Sequence, residues 1–210
     1  MGIDVRAQVG PRQGLGDGTE NIIRSGRTGE VATVDAHGRY YEAASRGNVF
    51  FVADQTGKTV PAGLSASPTT VTLNNPKGSG VNAAILYAYI DFIVAFAAGS
   101  AVWIAANSDP SAANTTGTVA TSVNALIGST RTATVKAFTT ATLPAAPVAI
   151  CQLAAGITGA ITTTPSTTAY GRDFGGALVI APGGALSFQA STASGASGGL
   201  GEWCWEEIPL

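Results

Sequence analysis

The chain is short of charge. Its 210 residues hold 11 Lys and Arg against 13 Asp and Glu, so charged residues make up 11%, where a soluble domain carries roughly 25%. The net charge of -2 leaves no basic footprint, so nucleic acid is not an expected partner. Histidine is almost missing, with His37 alone. Two cysteines, Cys151 and Cys204, cannot staple a chain of this length, which excludes a disulfide scaffold. One His and two distant Cys make no zinc site, and neither metal nor cofactor is expected. A triad needs a base held toward a nucleophile, and His37 lies in the polar stretch Asp35-Ala36-His37-Gly38-Arg39. Gly14-Leu15-Gly16-Asp17-Gly18 is glycine-rich, but it follows no strand and lacks the Lys-Ser/Thr of a phosphate loop. The chain is therefore read as having no enzymatic role.

The first residues, Met1-Gly2-Ile3-Asp4-Val5-Arg6, show neither a secretory signal nor a myristoylation pattern. The expectation is synthesis in a reducing cytosol, with Cys151 and Cys204 free rather than bridged. The stretch Ala83–Ala106 is long enough to span a bilayer. Asp91 near its middle, the break at Gly99-Ser100 and its aromatic and β-branched residues argue instead for two buried strands joined by a turn at Ala97–Ser100. No membrane partner is expected.

What the chain has is Ala (37 residues), Gly (27) and Thr (25). Its charges are placed unevenly. Residues 1–58 carry 14 of the 24 and residues 59–201 carry seven, with Glu202, Glu206 and Glu207 at the end. A monomer normally keeps dispersed by surface charge, so a body this neutral implies surface covered by partners. Residues 1–38 mix Gly and small polar residues with Arg6, Arg12, Arg24 and Arg27, and show no lasting apolar period. They are read as an extended N-terminal arm, with these four arginines as its partner-binding groups.

From residue 39 to 210 the pattern is that of short strands. Candidates are Tyr40–Ala43, Asn48–Ala53, Pro68–Leu73, the pair within Ala83–Ala106, Thr118–Ile127, Arg131–Phe138 and Val148–Leu153. Ala177–Ala181 and Ala185–Ala190, joined by Pro182-Gly183-Gly184, read as the clearest hairpin. Gly201–Ile208 reads as the last strand. Nine or ten strands without a convincing helix predict an all-β fold, a jelly-roll-like β-sandwich following the arm. Strict alternation puts Trp203 and Trp205 on one face of the last strand and Cys204 and Glu206 on the other. Paired Trp close a core or a subunit interface, and can also form a platform for sugars.

Three stretches together resemble virion structural proteins of tailed bacteriophages: Gly38–Phe51, Leu73-Asn74-Asn75-Pro76-Lys77-Gly78-Ser79-Gly80, and Gly175–Gly184 with the terminal Trp205-Glu206-Glu207-Ile208-Pro209. The resemblance implies a jelly-roll-like sandwich and a capsid decoration (cement) protein, or a related head or tail component, with no catalytic residues. The partners it implies are the major capsid protein and two further copies of the chain, on the surface of a virion assembled in the host cytoplasm. The alternative is a head-fibre or tail-tip module that recognises host-surface glycans, through Trp203 and Trp205 or the loop 107–117.

Overall fold

The computed structural model describes residues 38–94, 96, 98–107, 115–157 and 169–210. The arm, with Arg6, Arg12, Arg24 and Arg27, lies outside the described residues apart from its last position, as do His37 and Gly14–Gly18. Glu42–Leu210 forms one compact unit. Its strands are β1 (Val49–Ala53), β2 (Thr72–Asn74), β3 (Val81–Phe92), β4 (Ser100–Asn107), β5 (Thr116–Ala120), β6 (Val123–Asn124), β7 (Lys136–Thr142), β8 (Val148–Ile157), β9 (Tyr170–Ile180), β10 (Ala185–Ala190) and β11 (Gly199–Pro209).

These strands make two antiparallel sheets that pack face to face. One has the order β6-β1-β11-β3-β9 and the other β5-β7-β2-β10-β4-β8. Without β5, β6 and β7, the sheets are β1-β11-β3-β9 and β2-β10-β4-β8. Each link from β1 through β4, and again from β8 through β11, then crosses from one sheet to the other. This is the connectivity of an eight-strand jelly roll. The segment between β4 and β8 is an insertion that adds β6 beyond β1 and adds β7 and β5 beyond β2.

Alternation builds the core. Phe50 and Val52 of β1, Ile85, Ala88, Ile90 and Phe92 of β3, and Trp203 and Trp205 of β11 face Val102 and Ile104 of β4 and Phe188 of β10. Phe188 and Trp203 stack across the two sheets with centroids 4.4 Å apart. The indole N–H of Trp203 donates to the Val71 carbonyl over 2.9 Å, so its one polar group is satisfied. Burying aromatic side chains of this size stabilises by about 1.5–3 kcal/mol each.

Four strand expectations are corrected. Tyr40–Ala43 is not a strand: Tyr41–Ser45 forms a single helical turn, α1. The Glu42 carboxylate pairs with Arg46 one turn on at 3.2 Å, and Gly47 at φ 72° ends the turn in the left-handed region. Thr118–Ile127 is split into β5 and β6, which join different sheets. The strand expected from Arg131 starts only at Lys136. Before it, the Thr134 and Val135 N–H groups donate to the buried Glu207 carboxylate at 2.7 and 2.8 Å instead of to a neighbouring strand. Finally, Pro182-Gly183-Gly184 does not close a hairpin. β9 and β10 pair with β3 and β4 in opposite sheets, and the turn is the bridge between layers. The strands within Ala83–Ala106 exist as β3 and β4, likewise in opposite sheets.

Candidate functional site

The tryptophans singled out by sequence offer no surface. Trp203 and Trp205 both have zero exposure, and Trp205 stacks on Phe50 at 5.9 Å. They belong to the core of the sandwich, and neither presents a ring to a sugar or a neighbouring subunit. Of the loop 107–117 the described residues are only 107 and 115–117. Cys204 and Cys151 are free, the first buried and the second half-buried.

The three stretches that carry the phage resemblance are joints. Asn75, fully buried, donates its side-chain amide to the carbonyls of Val81 and Ile180 at 2.8 and 2.9 Å. Its backbone N–H donates to Gly184 and its carbonyl accepts from Gly183. The turn after β2 thus holds the β9–β10 bridge. At the chain end, the Leu210 N–H donates to Gly80 and the Glu207 N–H to Asn48. Asp54 performs a similar task, accepting the N–H groups of Val71 and Gly201 on one oxygen at 3.0 Å each. Burial pushes its carboxyl above the ordinary value, against the opposing pull of those two bonds.

Sequence reasoning missed the outer face of the β1-β11-β3-β9 sheet. The registers of β3 with β11 and with β9 shift between Ile85 and Tyr87. Against β11, Leu86 is one extra residue and resets the alternation, and opposite it the partners on β9 jump from Leu178 to Asp173. Tyr87 and Tyr89 therefore point away from the core, whereas Ala88 and Ile90 point into it. Two cross-strand rows result. The first runs Val123, Phe51, Cys204, Tyr87, Asp173, and the second Ala53, Glu202, Tyr89, Gly171. Glu206 and Asp91 follow on either side of them, in register with Ala84 and Leu200.

The aromatic rings form a continuous ledge. Phe51 and Tyr87 have centroids 6.2 Å apart at 47°, and Tyr87 meets Tyr89 at 5.5 Å, edge to face. Gly171 makes room for this: a Cβ there would lie 1.9 Å from Tyr89 Cδ1. Beside the ledge is a cleft of about 180 Å³ lined by Phe51, Gln55, Tyr87, Thr121, Val123 and Glu202. The two rows contain acids but no Lys or Arg. Burial, then the Asp91 charge, raises the Glu202 carboxyl. Burial, then the neighbouring Cys204 and Glu202, pushes the Tyr87 hydroxyl up to about 12, so it is a neutral donor at physiological pH.

A second surface is the flank where the edge strands β8 and β9 run together. Here the Arg172 guanidinium donates to Cys151 Sγ at 3.3 Å. An apolar groove of about 330 Å³ lies between Ile150, Leu178, Val179 and Pro182. Ile150 and Val179 in the groove stand 46% and 50% exposed, and Val148, earlier on β8, stands 66% exposed.

Among the described residues, no group of three or more His, Cys, Asp or Glu is placed to hold a metal ion. No helix among them is long and apolar enough to cross a membrane. Compared with protein-family models, with curated proteins and with solved structures, the chain matches none.

Proposed function

We propose that the chain is a non-enzymatic virion structural protein of a tailed bacteriophage, a decoration protein that binds the outside of the major capsid protein shell and stabilises it as a homotrimer. The observation that carries this reading is the β8–β9 flank. Two neighbouring sheet edges with exposed Val148, Ile150 and Val179 are a liability for a monomer and a natural contact for further copies. The body around them has seven charges in residues 59–201, so solubility favours covering it. The jelly roll supports the reading, because the resemblance in the three motif stretches implies that fold. The arm arginines Arg6, Arg12, Arg24 and Arg27 supply guanidinium forks for carboxylates on a shell.

The test is reconstitution. Purified protein is added to particles that lack it, and release of the genome on heating is followed. Saturable binding with release at higher temperature is expected. No binding to the shell contradicts the reading.

The second reading is a head-fibre or tail-tip module for host-surface glycans. The partly exposed ledge of Phe51, Tyr87 and Tyr89 beside Glu202 favours it.

A further inference from the structure

The buried tryptophans leave the glycan reading without the residues first suspected, and the outer face of the β1-β11-β3-β9 sheet supplies others. We propose that the ledge of Phe51, Tyr87 and Tyr89, with the cleft edged by Gln55, Thr121 and Glu202, binds an uncharged pyranose sugar of a glycan. The proposal rests on the second reading and gives it a site.

The chemistry of the face selects the ligand class. A pyranose has an apolar C–H face and a rim of hydroxyls. Aromatic rings take up the first, and a few placed polar groups orient the second. Here Tyr87 and Tyr89 follow each other along β3 with centroids 5.5 Å apart, and Phe51 of β1 reaches Tyr87 across β11 at 6.2 Å. The cleft next to them, about 180 Å³, has an amide, a hydroxyl and a carboxylate on its border. Gln55 and Thr121 belong to the loops after β1 and before β6, so they border the cleft on one side while Tyr87 of β3 borders it on the other, with Tyr89 next to Tyr87.

Charge decides against other occupants. Glu202 and Asp173 lie within the rows and Glu206 and Asp91 flank them, without a Lys or Arg. Nucleic acid, sialylated chains and uronic acids are repelled by such a face. A sugar without charge loses nothing there. Tyr89 is held by its seat on Gly171, so this ring is placed before a ligand arrives, which lowers the entropic cost of binding.

The probes are methyl glucoside, methyl galactoside and N-acetylglucosamine, with sialyllactose as the anionic control, titrated into the ¹⁵N-labelled full chain. Tyr89→Ala removes one ring. Gly171→Ala leaves the ring but drives it off its seat. Expected is saturable binding of at least one neutral sugar, with shifts centred on residues 51, 87, 89 and 202. Both variants should weaken it by about tenfold or more while melting like the wild type. If the variants fail to fold, the wild-type shift map decides, and shifts centred elsewhere overturn the site. Neutral sugar bound equally by both folded variants also overturns the site but leaves the glycan reading standing. Preference for sialyllactose overturns the charge argument and the proposal with it. No binding of any sugar at millimolar concentration overturns both the site and the glycan reading. Shifts on this face caused by capsid protein and by no sugar assign it to a protein contact and likewise end the proposal.

Discussion

Asn75 donates its side-chain amide to the carbonyl of Ile180 across 2.9 Å, tying the turn after β2 to the end of β9, in the opposite sheet. The same amide reaches Val81 at the start of β3. One buried side chain thus satisfies two backbone acceptors where three strands meet. Asn75→Ala leaves both carbonyls without this donor and should cost roughly 2–4 kcal/mol in chemical denaturation. A loss under 0.5 kcal/mol, roughly the scatter of ordinary surface substitutions, would mean that the joint is not holding the bridge. Gly183, at φ 95° in the same joint, should lose about 1–3 kcal/mol on replacement by Val.

The two thiols should behave differently. Cys204 is buried, and burial followed by the Glu202 charge pushes its thiol up to about 12. Cys151 is half-buried on the flank. Reaction with a chromogenic disulfide reagent at neutral pH should leave Cys204 unmodified in the native chain and modify both thiols after unfolding, while Cys151, on the flank between copies, becomes reactive once the trimer dissociates. Rapid modification of both in the native protein contradicts the placement of Cys204.

Stability should carry a signature of Asp54. Its carboxyl is raised above the ordinary 3.8, chiefly by burial. The native state therefore holds this proton more tightly than the unfolded chain. The group's contribution is most favourable below 3.8 and is lost as pH rises through the raised value. Glu202, raised above 4.5, acts in the same sense. Asp54→Asn retains an oxygen that can accept from Val71 and Gly201. The variant should match the wild type near pH 3 and gain on it as pH rises toward neutrality, as read from paired melting curves. A difference that runs the other way would contradict the buried placement of this acid.

The flank predicts association. Light scattering should give about three times the 20.9 kDa chain mass. Val179→Asp and Ile150→Asp place charge among apolar groups and should dissociate the assembly without unfolding the chain. A wild-type monomer at micromolar concentration, or a trimer that tolerates both substitutions, removes the flank from the interface.

Much of the fold was legible because alternation is a local property. Trp203 and Trp205 read as sharing one face with Cys204 on the other, and the structure keeps that order: both tryptophans join the core while Cys204, though buried, lies in the outer row with Phe51 and Tyr87. The assignment of strands to sheets was not legible. Pro182-Gly183-Gly184 serves a hairpin or a bridge between layers equally well, and the choice is made by β3 and β4, about eighty residues away in sequence. The helical turn at Tyr41–Ser45 was missed because the adjacent Tyr40 and Tyr41 read as a strand, whereas the Glu42–Arg46 pair and Gly47 decide for helix. The aromatic face was hidden by one inserted residue. Read as a buried run, Ala83–Ala106 gives no reason to turn Tyr87 and Tyr89 outward; Leu86 at the register shift does so. The order Tyr87-Ala88-Tyr89-Ile90-Asp91 was the available signal, with polar tips at every second position.

The account's central claim is that this chain is a part built for a phage shell. A cryo-electron microscopy reconstruction of the intact particle tests it most directly. The account predicts density for three copies of the two-sheet body on the outside of the capsid, joined along their β8–β9 flanks and touching the major capsid protein. Density for the chain at the tail tip alone, or a complete particle with no copy of it, would contradict that claim.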